Sequence, residues 1–336
     1  MKTFRLSLAI VPVCLAATLD GASVRIIQTN AAGDSVMLID PVSNKVVGQI
    51  DRIEVNHGAA AAPDGSRFYI TNEAESTVDV ADAKTLKVIK QIPLSNHPNN
   101  IAISKDGRRV YAAIVAGAGA VDVIDTASLA RVKSIRTEGG IHNTFVTPDG
   151  KYVVAGSIIG KKISVIDAAT EEIAWTIPME AGVRPICFEL NPDGSIRRMF
   201  VQLSDFHGFV ALDWTTRQIV QRVKLPEVPA NERHTEGLQG SPSHGIGITP
   251  DGKVLWATSK MNSYVYAYSI PNLEFLGGVK VGDHPDWLTF TPDSKRMYVA
   301  NAGSNSVSVV DVEGRKEIAR IPVGQVPKRN ITAVLP

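Results

Sequence analysis

The seven histidines of this chain are the side chains best suited to bind a ligand or to move a proton near neutral pH. Five of them directly precede short apolar segments of strand-like composition: His57, His97, His142, His244 and His284. His207 lies in a short turn, and His234 lies in the one long connection, residues 226–243. This distribution predicts that the histidines gather at one end of the fold, where they could share a small-molecule ligand or a metal ion.

A common register relates several polar residues to the Pro-Asp-Gly type turn that follows each of these segments. Six residues before the first turn residue stand His57, Asn99, His142, Ile186, His244 and Asp286. Eight residues before it stand Val55, His97, Gly140, Arg184, Pro242 and His284. The equivalent position in the last segment falls near Lys328 or Asn330. If the segments surround one axis, the side chains at these positions are expected to form a polar and largely basic ring around that axis.

We expect His57, His142 and His244 to point inward together, because they share one register, and to hold a ligand or a divalent metal ion. The other candidate ligand-binding residues are His97, Asn99, Arg184, His207, His234, Glu236, His284, Asp286 and Trp287. The alternative is that these are ordinary polar loop residues. Trp287 either stacks on a bound ring or packs between structural units, and the long connection is either functional or a tolerated surface excursion.

An internal repeat supplies the elements that position these residues. Seven apolar segments, six of which end in Asp and one in Ser, recur at intervals of about 42 residues, with one longer interval. In one repeat, residues 100–104, 110–114, 121–125 and 132–135 are rich in β-branched residues and bounded by turn signals. Four short strands at this period predict an all-β fold, a seven-bladed β-propeller of four-stranded antiparallel blades that forms one domain over residues 23–336.

The two ends of the chain predict how the ring closes. Residues 24–30 resemble a second strand with no first strand before them, whereas residues 330–335 resemble a first strand with nothing after them. Pairing of the N- and C-terminal strands would complete the first blade and remove two free edges. In such blades the Pro-Asp-Gly turns lie on one face. The connections between blades and the turns between second and third strands lie on the other, with all seven histidines.

The second strands carry a recognisable signature. Tyr69-Ile70-Thr71-Asn72 and Tyr298-Val299-Ala300-Asn301 resemble the YVTN repeat, and the similarity covers residues 24–335. The repeats around Tyr111 and Trp256 depart from it. The resemblance implies the propeller fold but no single function, because related propellers include surface-layer proteins, lactonases, antibiotic-opening lyases and the haem d1 and copper propellers of denitrification.

Residues 1–22 differ from the rest of the chain. Lys2 and Arg5 precede an apolar stretch that ends in small residues, which is the plan of a secretory signal peptide. We therefore expect a periplasmic or secreted protein with no transmembrane segment in its mature chain. The formal net charge of +1 is nearly balanced, so we expect no nucleic-acid partner.

The sequence leaves three functions open. The first is a binding propeller for a small molecule, a metal ion or a protein partner of the cell envelope. The second is a metal-assisted lactonase or lyase that uses the same histidines, and the third is a redox partner with noncovalent haem. The chain has no Cys-x-x-Cys-His, Gly-x-Ser-x-Gly, phosphate-binding loop or His-Glu-x-x-His sequence, so the motifs for covalent haem, hydrolase elbows and these metalloproteases are absent.

Overall fold

A computed structural model describes residues 23–336, and the predicted signal peptide at residues 1–22 lies outside the described residues. These residues form seven four-stranded antiparallel sheets. The predicted seven-bladed propeller is confirmed. One short 3₁₀ helix, Ala230–Glu232, interrupts the strands of the described chain.

The first four blades have the following strands. Blade one contains β28 (Pro327–Leu335), β1 (Ser23–Asn30), β2 (Ser35–Asp40) and β3 (Lys45–Asp51). Blade two contains β4 (Asn56–Ala61), β5 (Arg67–Asn72), β6 (Thr77–Asp82) and β7 (Val88–Pro93). Blade three contains β8 (Pro98–Ile103), β9 (Arg109–Ile114), β10 (Ala120–Asp125) and β11 (Ala130–Arg136). Blade four contains β12 (Ile141–Val146), β13 (Tyr152–Ser157), β14 (Lys162–Asp167) and β15 (Glu172–Pro178).

The last three blades follow the same order. Blade five contains β16 (Val183–Leu190), β17 (Ile196–Leu203), β18 (Gly208–Asp213) and β19 (Ile219–Lys224). Blade six contains β20 (Ser243–Ile248), β21 (Val254–Ser259), β22 (Tyr264–Ser269) and β23 (Phe275–Lys280). Blade seven contains β24 (Pro285–Phe290), β25 (Arg296–Asn301), β26 (Ser306–Asp311) and β27 (Lys316–Pro322).

The predicted closure is also confirmed. β28 pairs antiparallel with β1 along nearly its whole length, from Ser23↔Leu335 to Asn30↔Pro327. The last strand of the chain is therefore the innermost strand of blade one. This pairing joins the two ends of the described chain and leaves no open seam between blades seven and one.

The core lies between neighbouring blades and is built from the second and third strands. Their side chains alternate between the two faces of each sheet, and both faces are buried because a blade is covered on each side. Tyr69, Tyr111 and Tyr298 occupy the same position in β5, β9 and β25 and are almost completely buried. The fourth strands are mostly exposed, because they form the outer rim of the propeller.

A β-bulge recurs in the first strand of all seven blades and shapes the central channel. In blade two, Asn56 faces Asn72 but Ala59 faces Ile70, so the first strand has one extra residue there. The pairings of the other six blades contain the same shift at the equivalent position. Because a bulge re-aims the side chains beside it, this device fixes which residues face the channel.

Candidate functional site

The bulges place seven residues of equal register around one end of the channel, which we name the histidine mouth. The ring residues follow the first paired residue of each first strand, and they are His57, Asn99, His142, Arg184, His244, Asp286 and Lys328. Five of them occupy the register expected from the sequence. Lys328, rather than Asn330, is the member in blade one.

The expected position in blade five was wrong. Ile186 is paired with Val201 deeper in the channel, and the ring member is Arg184, which follows the first paired residue, Val183. The reason is the longer hairpin of this blade. β16 and β17 each have 8 residues, and a second irregularity near Leu190 lengthens the arm, so the turn lies farther from the mouth.

Two of the three histidines of shared register come together at the centre. The imidazole rings of His142 and His244 lie edge to face with centroids 5.5 Å apart, although blade five separates their blades. Burial lowers the pKa of both imidazoles, that of His244 to about 3, so both are neutral at physiological pH. Nδ1 of His244 is also 2.9 Å from the carbonyl oxygen of Asp286, which fixes its ring orientation.

His57 has a different partner. Its Nδ1 lies 2.6 Å from Oε2 of Glu73, and its side chain is 18% exposed, more than that of His244. Burial lowers the pKa of His57, and the charges of Arg329 and Lys328 lower it further, whereas Glu73 opposes the shift. His57 is therefore a neutral imidazole held by a carboxylate at the edge of the mouth.

A metal ion shared by His57, His142 and His244 is not supported by this arrangement. Within residues 23–336, no three His, Cys, Asp or Glu side chains are grouped so that they could hold a metal ion. The physical reason is that His57 turns toward Glu73, while His142 and His244 pack against each other. The sequence register was correct for these three residues, but it does not determine the directions of the side chains.

Arg329 crosses the channel one level deeper. Its Nη2 donates to Oδ1 of Asn99 at 2.6 Å and to Oδ1 of Asn143 at 3.1 Å, and Nη1 lies 3.4 Å from the carbonyl oxygen of His57. The residue is 3% exposed. Burial lowers the pKa of Arg329 to about 10, so it stays charged at neutral pH. Gly58 allows the neighbouring strand β8 to approach closely at this level, because a Cβ at its position would lie only 3.0 Å from Cα of Asn100.

Asp286 is the buried acidic member of the ring. Burial alone would raise its pKa, but His244 and the charges of Lys328, Lys260 and Arg329 hold the pKa well below its usual range. Its Oδ1 lies 3.3 Å from Nζ of Lys260 and 3.5 Å from Nζ of Lys328. Asp286 is therefore an anion that orients two ammonium groups around the mouth.

The long connection between blades five and six, residues 225–242, lies over the mouth, and we name it the lid loop. The carbonyl oxygen of Gln239 accepts a hydrogen bond of 2.7 Å from Arg184, and its side-chain oxygen lies 3.4 Å from Nζ of Lys328. Nζ of Lys260 is 3.3 Å from the carbonyl oxygen of Leu238. Three cations from three blades thus anchor the lid loop across the ring.

The remaining histidines do not join the ring. His234, which belongs to the lid loop, and His284, which precedes β24, form a separate edge-to-face pair with centroids 4.9 Å apart. His97 is exposed and contacts the carbonyl oxygen of Glu73 at 2.9 Å. His207 lies between blades five and six, with Nε2 2.8 Å from Oγ of Ser259, and burial lowers its pKa to about 4. Glu236 is exposed on the lid loop.

Trp287 lies in the channel rather than between blades. Its ring is parallel to that of Phe145 across the channel, with centroids 6.4 Å apart. Cζ of Arg329 lies 5.0 Å from its ring centroid, which is a cation–π contact. Trp287 also contacts His244, with ring centroids 5.9 Å apart, and His244 contacts His142, so these rings form a continuous set of contacts in the channel.

Sequence reasoning missed Arg329, Lys260 and Glu73. Glu73 and Lys260 directly follow second strands, β5 and β21, and that turn lies on the histidine face by topology. This signal was available in the sequence. The last strand has no Pro-Asp-Gly turn after it, so its register could not be counted from the sequence. The pairing of β28 with β1 identifies Lys328 as the ring member and thereby places Arg329 one residue deeper.

The fold and site define the class of this protein: a seven-bladed propeller with a polar, lidded channel mouth. The chain belongs to the family described as lactonase, 7-bladed beta-propeller, whose model matches residues 131–321. The narrower resemblance to YVTN repeats stays a prediction. A curated relative, the uncharacterized protein YncE of Salmonella typhi, is 27% identical over 97 residues. That match covers 29% of this chain and 27% of the relative.

Solved structures show the same fold at low sequence identity. The periplasmic gluconolactonase PpgL of Pseudomonas aeruginosa is 20% identical, with a TM-score of 0.73 over 94% of this chain and 100% of that chain. Hydrazine synthase of Kuenenia stuttgartiensis is 23% identical, with a TM-score of 0.73 over 85% of this chain and 91% of that chain. No helix among residues 23–336 is long and apolar enough to cross a membrane.

Proposed function

We propose that the histidine mouth binds a small hydroxylated lactone and hydrolyses it to the hydroxy acid. The observation that carries this proposal is the pair formed by His57 and Glu73, whose Nδ1 and Oε2 atoms are 2.6 Å apart at the accessible edge of a cationic mouth. A carboxylate this close to Nδ1 favours the tautomer that carries its proton there, so that Nε2 can accept a proton from water. Membership of the lactonase propeller family and the gluconolactonase neighbour support the same chemistry.

The charges around the mouth suit the product of this reaction. Three buried or half-buried cations surround it, namely Arg184, Lys260 and Lys328, and the buried Arg329 lies one level deeper. The carboxylates beside them are those of Asp286 and Glu73. Water adds to the lactone carbonyl and gives a negatively charged tetrahedral intermediate. His57 holds the proton taken from water. When the ring C–O bond breaks, protonated His57 returns this proton to the leaving alkoxide, and the carboxylic acid that forms releases its own proton to solvent. Preorganised cations stabilise both the intermediate and the carboxylate product.

The neutral state of His57 is required of a general base. Its pKa is lowered chiefly by burial, so the imidazole can accept a proton at pH 7. Burial would raise the pKa of Glu73, but the neighbouring imidazole of His57 and the charge of Arg329 lower it below its ordinary value, so Glu73 stays anionic. No step of this proposal requires a metal ion.

The test is proton release from glucono-δ-lactone at pH 7, measured above the spontaneous rate. We expect His57→Ala to lower kcat by about 100-fold or more, which is the usual contribution of a general base. Glu73→Gln should lower kcat less and move the pH profile. The control is His97→Ala. His97 is exposed and contacts only the backbone carbonyl of Glu73, so this variant should have the kcat of the unmodified protein.

Binding without turnover is the second candidate, and it is favoured by the burial of His142 and His244, two of the three histidines of shared register. Calorimetry with gluconate separates the two functions. Turnover that His57→Ala abolishes supports the hydrolase. Gluconate binding with no hydrolysis of five- or six-membered sugar lactones would refute catalysis and leave a binding protein.

We also propose that the protein is exported to the periplasm or secreted. The basic start and apolar stretch of residues 1–22 support export, and one structural neighbour is described as periplasmic. N-terminal sequencing of the native protein should find a start near Ser23. A native protein that retains Met1 would contradict this proposal.

A further inference from the structure

A cavity lies at the end of the channel opposite the histidine mouth. We name it the turn mouth, because Pro148 of a Pro-Asp-Gly turn lines it. Its volume is about 400 Å³, which is large enough for a small ligand. Its walls are apolar side chains of the first strands, among them Ile103, Phe145, Val146 and Phe188. These four residues are only partly buried although they lie inside the ring of blades, because they face this open space.

The floor of the cavity combines an aromatic ring with a cation. Trp287 and Arg329 both line it, and the plane of Trp287 lies within 3° of that of Phe145. The two rings are too close together for a third ring to lie between them, but an aromatic floor and apolar walls favour a flat ligand that packs against them. None of the seven ring residues of the histidine mouth lines this cavity.

Arg329 is incompletely satisfied within the described residues. Its hydrogen-bond acceptors are the side-chain oxygens of Asn99 and Asn143 and the carbonyl oxygen of His57, all uncharged groups. Its buried Nε has no hydrogen-bond partner. Burial lowers the pKa of Arg329 and the charges of Asp286 and Glu73 raise it, but neither carboxylate is hydrogen-bonded to it. Because this buried cation lines the cavity without a carboxylate partner in contact, the cavity floor favours a negatively charged group.

We propose that the turn mouth is a second binding site, separate from the histidine mouth, for a flat apolar ring that carries a single carboxylate. The ring occupies the space between the apolar walls and stacks on Trp287, and the carboxylate lies toward Arg329. The chemistry differs from that of a hydroxylated lactone, because these walls offer few polar groups. This site does not depend on the function proposed above.

The probes are 2-naphthoate and its uncharged counterpart 2-naphthalenemethanol, with binding measured by calorimetry on the full chain. We expect naphthoate to bind at least about tenfold more tightly than the alcohol, a difference appropriate to one charge-assisted contact. Ile103→Asp places a carboxylate in the wall and should weaken naphthoate binding by about tenfold or more. Ile103→Val is the matched control and should bind as the unmodified protein does.

Cys187 supplies an independent measurement, because its partly buried side chain lines the same cavity. Burial raises the pKa of its thiol, so modification by methyl methanethiosulfonate is best followed at about pH 9, with peptide mapping to identify the cysteine. Naphthoate should slow modification of Cys187 several-fold. This readout does not depend on whether a wall variant folds.

The variant His57→Ala distinguishes this site from the proposed lactonase site. It should abolish hydrolysis but leave naphthoate binding unchanged. Equal affinity for naphthoate and the alcohol would refute the role of Arg329. Unprotected Cys187, or naphthoate binding that is lost in His57→Ala but kept in Ile103→Asp, would overturn the second site.

Discussion

His142 and His244 belong to blades four and six, yet their imidazole rings meet edge to face with centroids 5.5 Å apart. The channel is therefore narrow enough at this level for alternate blades to touch across it. The two rings form a neutral imidazole pair, because burial lowers the pKa of each and so keeps both uncharged at neutral pH.

This pair predicts a loss of stability in acid. A histidine with a lowered pKa in the folded state binds fewer protons there than in the unfolded chain, so the free energy of unfolding falls as the pH falls. For His244 the window runs from the unfolded pKa near 6.5 down to about 3, at up to about 1.4 kcal/mol per pH unit. His244→Asn removes this titration, and its Tm should change less between pH 7 and pH 5. An unaltered pH slope would contradict the prediction; His97→Asn is the exposed control.

Closure of the ring predicts that the C-terminal strand is essential. Deleting residues 330–336 removes most of the innermost strand of blade one and its pairing with β1. We expect a collapse of Tm or failure to fold, because blades one, two and seven then expose unpaired backbone and core. Thermal unfolding measures this, and removal of Pro336 alone should have little effect. A truncated protein with an unchanged Tm would refute the closure argument.

Arg329 is expected to stabilise the fold as well as to line the second site. Arg329→Met leaves the side-chain oxygens of Asn99 and Asn143 without their donor, at a cost of about 2–4 kcal/mol in the free energy of unfolding. Urea unfolding gives this value. Arg222→Met is the matched control, because that side chain is 45% exposed in its ion pair with Glu180 and should change stability by about 1 kcal/mol or less.

Arg184 is expected to hold the lid loop closed. It donates from Nε to Ser204 and from Nη2 to the carbonyl oxygen of Gln239, so Arg184→Ala should release the loop. Trypsin should then cut faster after Arg233, which lies within the loop, and a time course followed by mass spectrometry measures the rate. Arg222→Ala should be cut at the original rate. Equal rates in both variants would show that Arg184 does not anchor the loop.

The repeat pattern predicted the strands to within a few residues, because each strand is short, apolar and bounded by a turn of fixed chemistry. The segments predicted at 110–114 and 121–125 are β9 and β10 with one residue added at the start of each. Blade five failed at one point. Because β16 and β17 are longer than the other strand pairs, the turn between them lies farther from the histidine mouth. Counting six residues back from that turn therefore gives Ile186 instead of Arg184.

The sequence by itself determined the seven blades, the closing strand and the level at which His57, His142 and His244 stand, because these depend on local periodicity and turn residues. Only the tertiary structure decided where the side chains point. The pairing of His57 with Glu73, the contact between His142 and His244, and the course of Arg329 across the channel join residues from different blades. Such contacts depend on the channel radius and on which neighbours are small, as at Gly58, and no local pattern encodes them.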